Sequence, residues 1–212
     1  MSKFSHHHII EQVPVDYYQK GIATNFLQRI WHMNKLKIIL EEIPNSPKKI
    51  LDVGCSSGWF LSEVSMKFPF AKCSGIDIYD SGINYGKRLY PHLRLKVADA
   101  HNIPYRDNTF DLVICTEVIE HVDDPLKVLV EIKRVLKKGG YACIEVDSGS
   151  ALFSISWYLW RMSKGRVWNN SHIHSFDVEK LERMLLQAEF KIVKKREFNV
   201  GMAMVFLAIK DG

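Results

Sequence analysis

The chain has 212 residues, 47% of them apolar and 25% charged, with a net charge of +5 and an isoelectric point near 8.9. That suffices for one sizeable core and excludes a fibrous, repetitive or wholly disordered protein. The mild basic excess fits an anionic small molecule, a membrane surface or nucleic acid, without choosing among them.

Residues 1–15 read as irregular. Met1 to His8 lack the apolar stretch of a signal peptide, and His6 to His8 read as a polar tail rather than a metal site. A helix is expected from Ile22 to Ile43. Its apolar stripe is Ile22, Phe26, Ile30, Met33, Leu36, Leu40 and Ile43, spaced by threes and fours, and Pro44 to Pro47 end it. From Lys48 onward strands and helices alternate. Ile50 to Val53 is a strand, followed by a Gly/Ser turn and a helix carrying Leu61, Val64 and Phe68. Lys72 to Ile78, Leu93 to Ala98 and Phe110 to Cys115 are further strands, with a short helix at Ser81 to Leu89.

Asp124 caps the next helix with Pro125 in its first position, and Leu126, Leu129, Ile132 and Leu136 form its apolar face. Lys137 to Gly140 should end it, and Tyr141 to Val146 is the fifth strand. Residues 148–176 break the rhythm, with Phe153, Trp157, Tyr158, Trp160 and Trp168 among Arg161, Lys164 and Arg166. Asp177 caps a last helix through Val178, Leu181, Leu185 and Ala188, with Phe176 and Leu181 placed as a hydrophobic staple. Lys191 to Val200 and Met202 to Ile209 form a terminal antiparallel pair around Gly201. The alternation implies an α/β fold, a parallel sheet with helices on both faces.

Cys55, Cys73, Cys115 and Cys143 lie in or beside apolar runs and form no C-x-x-C pair. They read as buried, reduced thiols, which suits a cytoplasmic protein. The densest basic stretch, Lys194-Lys195-Arg196, reads as a solvated strand end rather than a phosphate site.

The segment Leu51-Asp52-Val53-Gly54-Cys55-Ser56-Ser57-Gly58 joins a strand to a helix at the ligand-binding edge of such a sheet. A dinucleotide fingerprint would need glycine at Ser56 and Trp59, and no G-K-[ST] follows for a P-loop. The loop therefore suits a nucleoside without phosphates. Asp77, nineteen positions after Gly58, can accept from both ribose hydroxyls; the alternative is a strand-end Asp that caps the next helix.

These residues resemble the class I S-adenosylmethionine (SAM)-dependent methyltransferases, in particular those related to quinone biosynthesis. LDVGCSSG, GIDIYD, VADAHNIPYRDNTFDLVICTEVIEHV and LKKGGYACIEV stand in the family's order and spacing, and the resemblance covers residues 48–147 and the final helix and hairpin. It implies a Rossmann-like, seven-stranded, mostly parallel sheet with an antiparallel last strand, in one domain over residues 1–212. Its parts would be a helical region at 16–47, a SAM-binding core at 48–147, a substrate lid at 148–176, and the last helix and hairpin at 177–212. By the same resemblance, Asp52 would bind the methionine end through water. Gly54, Cys55, Ser56 and Gly58 would form the loop around methionine and ribose, and Asp77 would hold the ribose. Ile78 would pack on adenine, Asp99 would accept from its amino group with Ala100 and His101 beside it, and Thr116 and Glu117 would border the methyl. Ser56 departs from the glycine of many relatives. The product would be S-adenosylhomocysteine.

Methyl transfer needs alignment and water exclusion, and an oxygen nucleophile adds a general base. Glu117, Glu120, His121, His172 and His174 are the candidates. Glu117, Glu120 and His121 have two other readings, loop shaping and a divalent-cation site resembling that of some quinone and small-RNA O-methyltransferases. His172 and His174 would face the same way in an extended segment. Residues 148–176 read as a lid over an apolar or planar acceptor, as a helical cap on the core, or, through 151–166, as a peripheral membrane contact. Three functions follow for test: a methyltransferase for a lipid-, quinone- or glycan-linked small molecule, an RNA or protein methyltransferase, and a non-catalytic SAM-binding protein.

Overall fold

A computed structural model describes residues 12–44, 46–162 and 173–211. His6 to His8, Lys164, Arg166, Trp168 and His172 lie outside the described residues. Along the chain run α1 (Tyr17–Thr24), α2 (Phe26–Glu42), β1 (Lys49–Val53), α3 (Trp59–Lys67), β2 (Lys72–Asp77), α4 (Asp80–Leu89), β3 (Arg94–Val97), a 3-10 turn at Ala100–Asn102, β4 (Phe110–Thr116) and α5 (Pro125–Val135). Then come β5 (Leu136–Asp147), α6 (Ala151–Arg161), α7 (Val178–Gln187), β6 (Lys191–Phe198) and β7 (Ala203–Ile209).

One seven-stranded sheet has the order β3-β2-β1-β4-β5-β7-β6. β1 to β5 are parallel, and β7 inserts antiparallel between β5 and β6. This is the expected Rossmann-like architecture. The strand order reverses between β1 and β4, which opens a crevice at their carboxyl ends.

The central strands are buried on both faces, so they read as continuous apolar runs. Leu51, Val53, Val113 and Cys115 pack under α5 and α7, whereas Ile50, Leu112, Ile114 and Cys143 pack with Leu36, Ile39, Leu61 and Ile83 of α2, α3 and α4. All four cysteines are free and buried. Side-chain caps set the helix starts: the carboxylates of Asp124 and Asp177 accept from Lys127 N at 3.0 Å and Lys180 N at 2.7 Å. Phe176 and Leu181, the expected staple pair, are both buried in the α5–α7 layer.

Two expectations are corrected. The N-terminal helix is two helices, because Asn25 turns out of helical geometry and caps α2, accepting from Leu27 N and Gln28 N. Its buried face departs from the predicted stripe: Leu36 and Ile43 are buried as expected, but Phe26, Ile30 and Met33 are exposed, and Gln28, His32, Lys35, Ile39 and Glu42 are buried as well. The second correction concerns Lys137 to Gly140. Helix α5 already stops at Val135, and these residues belong to β5, which pairs Leu136 with Phe110 and then shifts register to pair Tyr141 with Leu112. Gly139, at φ 74°, absorbs the irregularity. Among the described residues no helix is long and apolar enough to cross a membrane.

Candidate functional site

A cavity of about 850 Å³ lies over the carboxyl edge of the sheet. Pockets for one drug-sized ligand span ~300–1,000 Å³, so the cavity is of a size to hold a nucleoside cofactor. One end is floored by the loops after β1, β2 and β3, with Gly54, Ser56, Asp77, Ile78, Asp99 and Ala100 in its lining. The other end is walled by Trp31, Phe153, Trp157 and Trp160.

At the first end the loop after β1 is tied down from several sides. Asp77 accepts from Ser56 N at 2.7 Å and Tyr79 N at 2.8 Å, so its carboxylate both braces the loop and lines the cavity. Burial nonetheless pushes the Asp77 carboxyl above its ordinary range, against the backbone hydrogen bonds that lower it. Gly54 has φ 78°, and a Cβ there would stand 2.1 Å from Val118, so glycine is required by conformation and by packing. Gly58, at φ 82°, is the left-handed residue from which α3 starts. Cys55 is buried and its thiol is pushed well up, by burial and then by Asp52 and Asp77. Asp99 caps the 3-10 turn through one oxygen, accepting from His101 N at 2.8 Å and meeting His101 Nδ1 at 2.7 Å. Partial burial opposes ionisation there, but the His101 contacts hold this carboxyl below its ordinary value.

Asp52 and Thr116 do not line the main cavity. They line a second cavity of about 30 Å³ beside it, together with Cys55, Lys35 and Glu117. A water needs ~10–15 Å³ by such a measure. Asp52 is buried, its Oδ2 has no protein partner, and burial together with Asp77 raises its pKa to about 8. A buried carboxyl with a partnerless oxygen, at a water-sized space next to the glycine loop, fits the donor groups of a cofactor's methionine end. The N-terminal segment closes the same region: Tyr79 Oη donates to Val13 O at 2.6 Å, and Gln19 Nε2 donates to Ser57 Oγ at 3.0 Å.

The other expected residues separate. Glu117 follows β4 with φ 53°, and its Oε1 receives Lys35 Nζ at 2.8 Å and Trp31 Nε1 at 3.4 Å. Although burial opposes ionisation, Lys35 holds the Glu117 carboxyl down at about 2, and the lysine is raised in turn. Glu120 is buried and turned inward, with Oε1 accepting from Asp147 N at 3.4 Å. His121 lines the cavity. His174 does not; its Nε2 lies 3.0 Å from Val122 O. Carboxylate oxygens within 4.8 Å of one another belong to Glu117, Glu145 and Asp147, rather than to the set Glu117, Glu120 and His121. Lys35 already stands at that group as a cation.

Burial and the neighbouring Glu117 raise Glu120 to about 8. Unfolded Glu120 ionises near 4.5 while the folded group keeps its proton, so its contribution to stability is lost as pH rises from 4.5 to 8. Glu120→Gln should therefore raise Tm at pH 8 and leave it nearly unchanged at pH 4.5. One pKa unit is about 1.4 kcal/mol, and each kcal/mol shifts Tm by about 2–4 °C at this chain length. Thermal melts at both pH values check it, and equal shifts at the two would remove the assignment.

Several contributors were not foreseen. Tyr17, Tyr18, Trp31 and His32 bring the N-terminal helices into the cavity lining, and Lys35, Glu145 and Asp147 complete the charged cluster. For Lys35 a signal existed: His32, Lys35, Leu36 and Ile39 fall on one helical face. Phe153, Trp157 and Trp160 of α6 line the cavity, while Leu152, Ile155, Tyr158 and Leu159 of the same helix are exposed. Lys194, Lys195 and Arg196 pair with Glu42, Glu182 and Glu41 at 2.6, 2.8 and 2.9 Å.

Comparison with known proteins matches residues 24–195 to the family described as a methyltransferase domain. The chain belongs to this family of SAM-dependent methyltransferases. The methyltransferase is 28% identical to a demethylmenaquinone methyltransferase of Staphylococcus saprophyticus, over 96% of this chain and 95% of that one. A SAM-dependent methyltransferase of Thermotoga maritima has the same fold, with a TM-score of 0.75 at 21% identity, covering 96% of this chain and 99% of that one. The geranyl diphosphate C-methyltransferase of Streptomyces coelicolor, solved with Mg2+, geranyl diphosphate and S-adenosylhomocysteine, gives 0.71 at 13% identity, covering 92% and 85%.

Proposed function

We propose that this methyltransferase methylates an apolar, planar small molecule of the quinone or lipid-linked type, a glycan-linked one being the other member of that class. The observation that carries this reading is the continuity of one cavity from the glycine loop to the aromatic wall. The name of the Staphylococcus relative supports the quinone type. The exposed apolar side of α6 suits an acceptor delivered from a lipid phase.

When bound, SAM would supply a sulfonium methyl for transfer to a lone pair of the acceptor, with neutral S-adenosylhomocysteine as the leaving group. Asp77 holds the ribose, Ile78 packs against adenine, Asp99 accepts from the adenine amino group, and Asp52 receives the methionine end through a water. Phe153 and Trp157, stacked at 5.7 Å between centroids, close over the acceptor and exclude solvent. Glu117, clamped by Lys35, is a weak base and fixes the loop after β4. His121, in the lining, takes the acceptor's proton.

Loss of a positioned base costs about 10²–10⁴-fold in rate, so His121→Gln should lower kcat by about that factor with SAM binding unchanged. Incubating the protein with methyl-labelled SAM and fractionated cell extract tests the acceptor class. Label should enter the organic-soluble small-molecule fraction; label in RNA or protein overturns the reading.

A further inference from the structure

We infer that the mouth of the cavity docks on an anionic lipid bilayer through the outer faces of α2 and α6, so that the acceptor passes from the lipid straight into the cavity. The delivery step rests on the reading of the acceptor as quinone-type or lipid-linked; the docking does not.

Helix α6 is apolar on two sides. Phe153, Trp157 and Trp160 line the cavity, whereas Leu152, Ile155, Tyr158 and Leu159 are exposed. A helix that is hydrophobic all round belongs in an apolar medium, and the described residues cover only one side of this one. Helix α2 repeats the pattern. Phe26, Ile30, Met33 and Lys37 recur at steps of three and four, Leu27 and Arg29 flank them, and all six are exposed. Leu27 is 70% exposed, and Val200, in the turn between β6 and β7, is 85% exposed, yet both line the cavity. Apolar side chains that are in the lining and also open to solvent stand at its rim. The two helix faces therefore border one opening.

Charge selects the occupant. Tyr17 to Leu40 runs 24 residues without an Asp or Glu, and Ser148 to Phe176 runs 29. At the chain's average of 24 acids in 212 residues, the two stretches together would carry about six. They carry seven lysines and arginines and no acid. Lys35 is buried and held by Glu117, but Arg29 and Lys37 share the exposed face of α2. Apolar side chains on such a face enter the acyl boundary of a bilayer, while the long basic stems carry their charge up to lipid phosphates. A second copy of the chain would set cations against cations, which opposes association. The contact lies along the surface, since no described helix is long and apolar enough to cross a membrane.

Co-sedimentation of the full chain with phosphatidylcholine vesicles, with and without phosphatidylglycerol, tests this. Each Lys or Arg near an anionic surface strengthens binding about fivefold, so phosphatidylglycerol should tighten it by about tenfold or more. Arg29→Gln with Lys37→Gln should lose most of that preference. Phe26→Ser with Leu159→Ser should weaken binding to the anionic vesicles by about tenfold or more. The same pair should leave the Kd for S-adenosylhomocysteine unchanged, since neither side chain lines the cavity. Should that variant fail to fold, quenching of the wild-type tryptophans by brominated phosphatidylglycerol decides in its place, and unquenched emission overturns the docking. No sedimentation with either vesicle, or equal binding to the two, also overturns it. So does a concentration-dependent dimer that Leu159→Ser abolishes, which would give the face to a second copy. Vesicle binding with methyl label found only in RNA or protein would remove the delivery step and the acceptor reading, while the docking stands.

Discussion

Asp77→Ala should abolish measurable SAM binding. The carboxylate accepts from Ser56 N and Tyr79 N at 2.7 and 2.8 Å and so joins the loops that follow β1 and β2. Its removal leaves two backbone donors unpaired at the cavity floor and withdraws the acceptor assigned to the ribose hydroxyls. Hydrogen bonds to a charged group are worth about 1.5–3 kcal/mol each, so losing two of them weakens Kd by about 10²–10⁴-fold. Asp77→Asn keeps one oxygen and should fall between wild type and the alanine variant. Calorimetric titration with SAM reads both, with a melt to show that the fold persists. A change in Kd below about tenfold would remove Asp77 from the cofactor site.

The second large effect is on stability. Lys35 and Glu117 form a buried ion pair at 2.8 Å, so Lys35→Met strands a carboxylate among Glu120, Glu145 and Asp147. Breaking a buried pair by removing one partner costs about 3–5 kcal/mol, which at this chain length lowers Tm by on the order of ten degrees. Adding Glu117→Gln removes the stranded charge, and the double variant should regain most of the loss. Glu117→Gln alone should cost less than Lys35→Met, because Glu145 or Asp147 can ionise and serve the lysine. Urea titrations of the four proteins form the cycle. A double variant no more stable than Lys35→Met would show that packing of the lysine stem, and not charge, is what matters.

Most of the sheet was legible because central parallel strands are unbroken apolar runs, and because Gly54 and Gly58 occupy left-handed turns that few other residues tolerate. Helix starts were legible wherever Asp124 and Asp177 supply a cap. The N-terminal helices were misread for a physical reason. Ile30 looks like a core residue, but it faces the cavity, while the sheet side of the same helix carries His32 and Lys35. Periodicity reports that a face is apolar and not what it meets. Lys137 to Gly140 were misread because basic residues followed by glycines resemble a helix end, whereas tertiary pairing with β4 draws them into β5. In the site, the loop residues after β1 and β2 were legible from local spacing. The Lys35–Glu117 pair, 82 positions apart, and the convergence of Glu145 and Asp147 on it exist only after folding.

The four sealed cysteines carry a consequence of their own. Burial raises each thiol above its ordinary value, so the nucleophilic thiolate is scarce. Cys115 and Cys143 sit on neighbouring strands but belong to opposite layers of the sheet, so they do not face one another across one layer. The fold is thus held together without any disulfide among these four thiols, so a reducing compartment removes nothing from it.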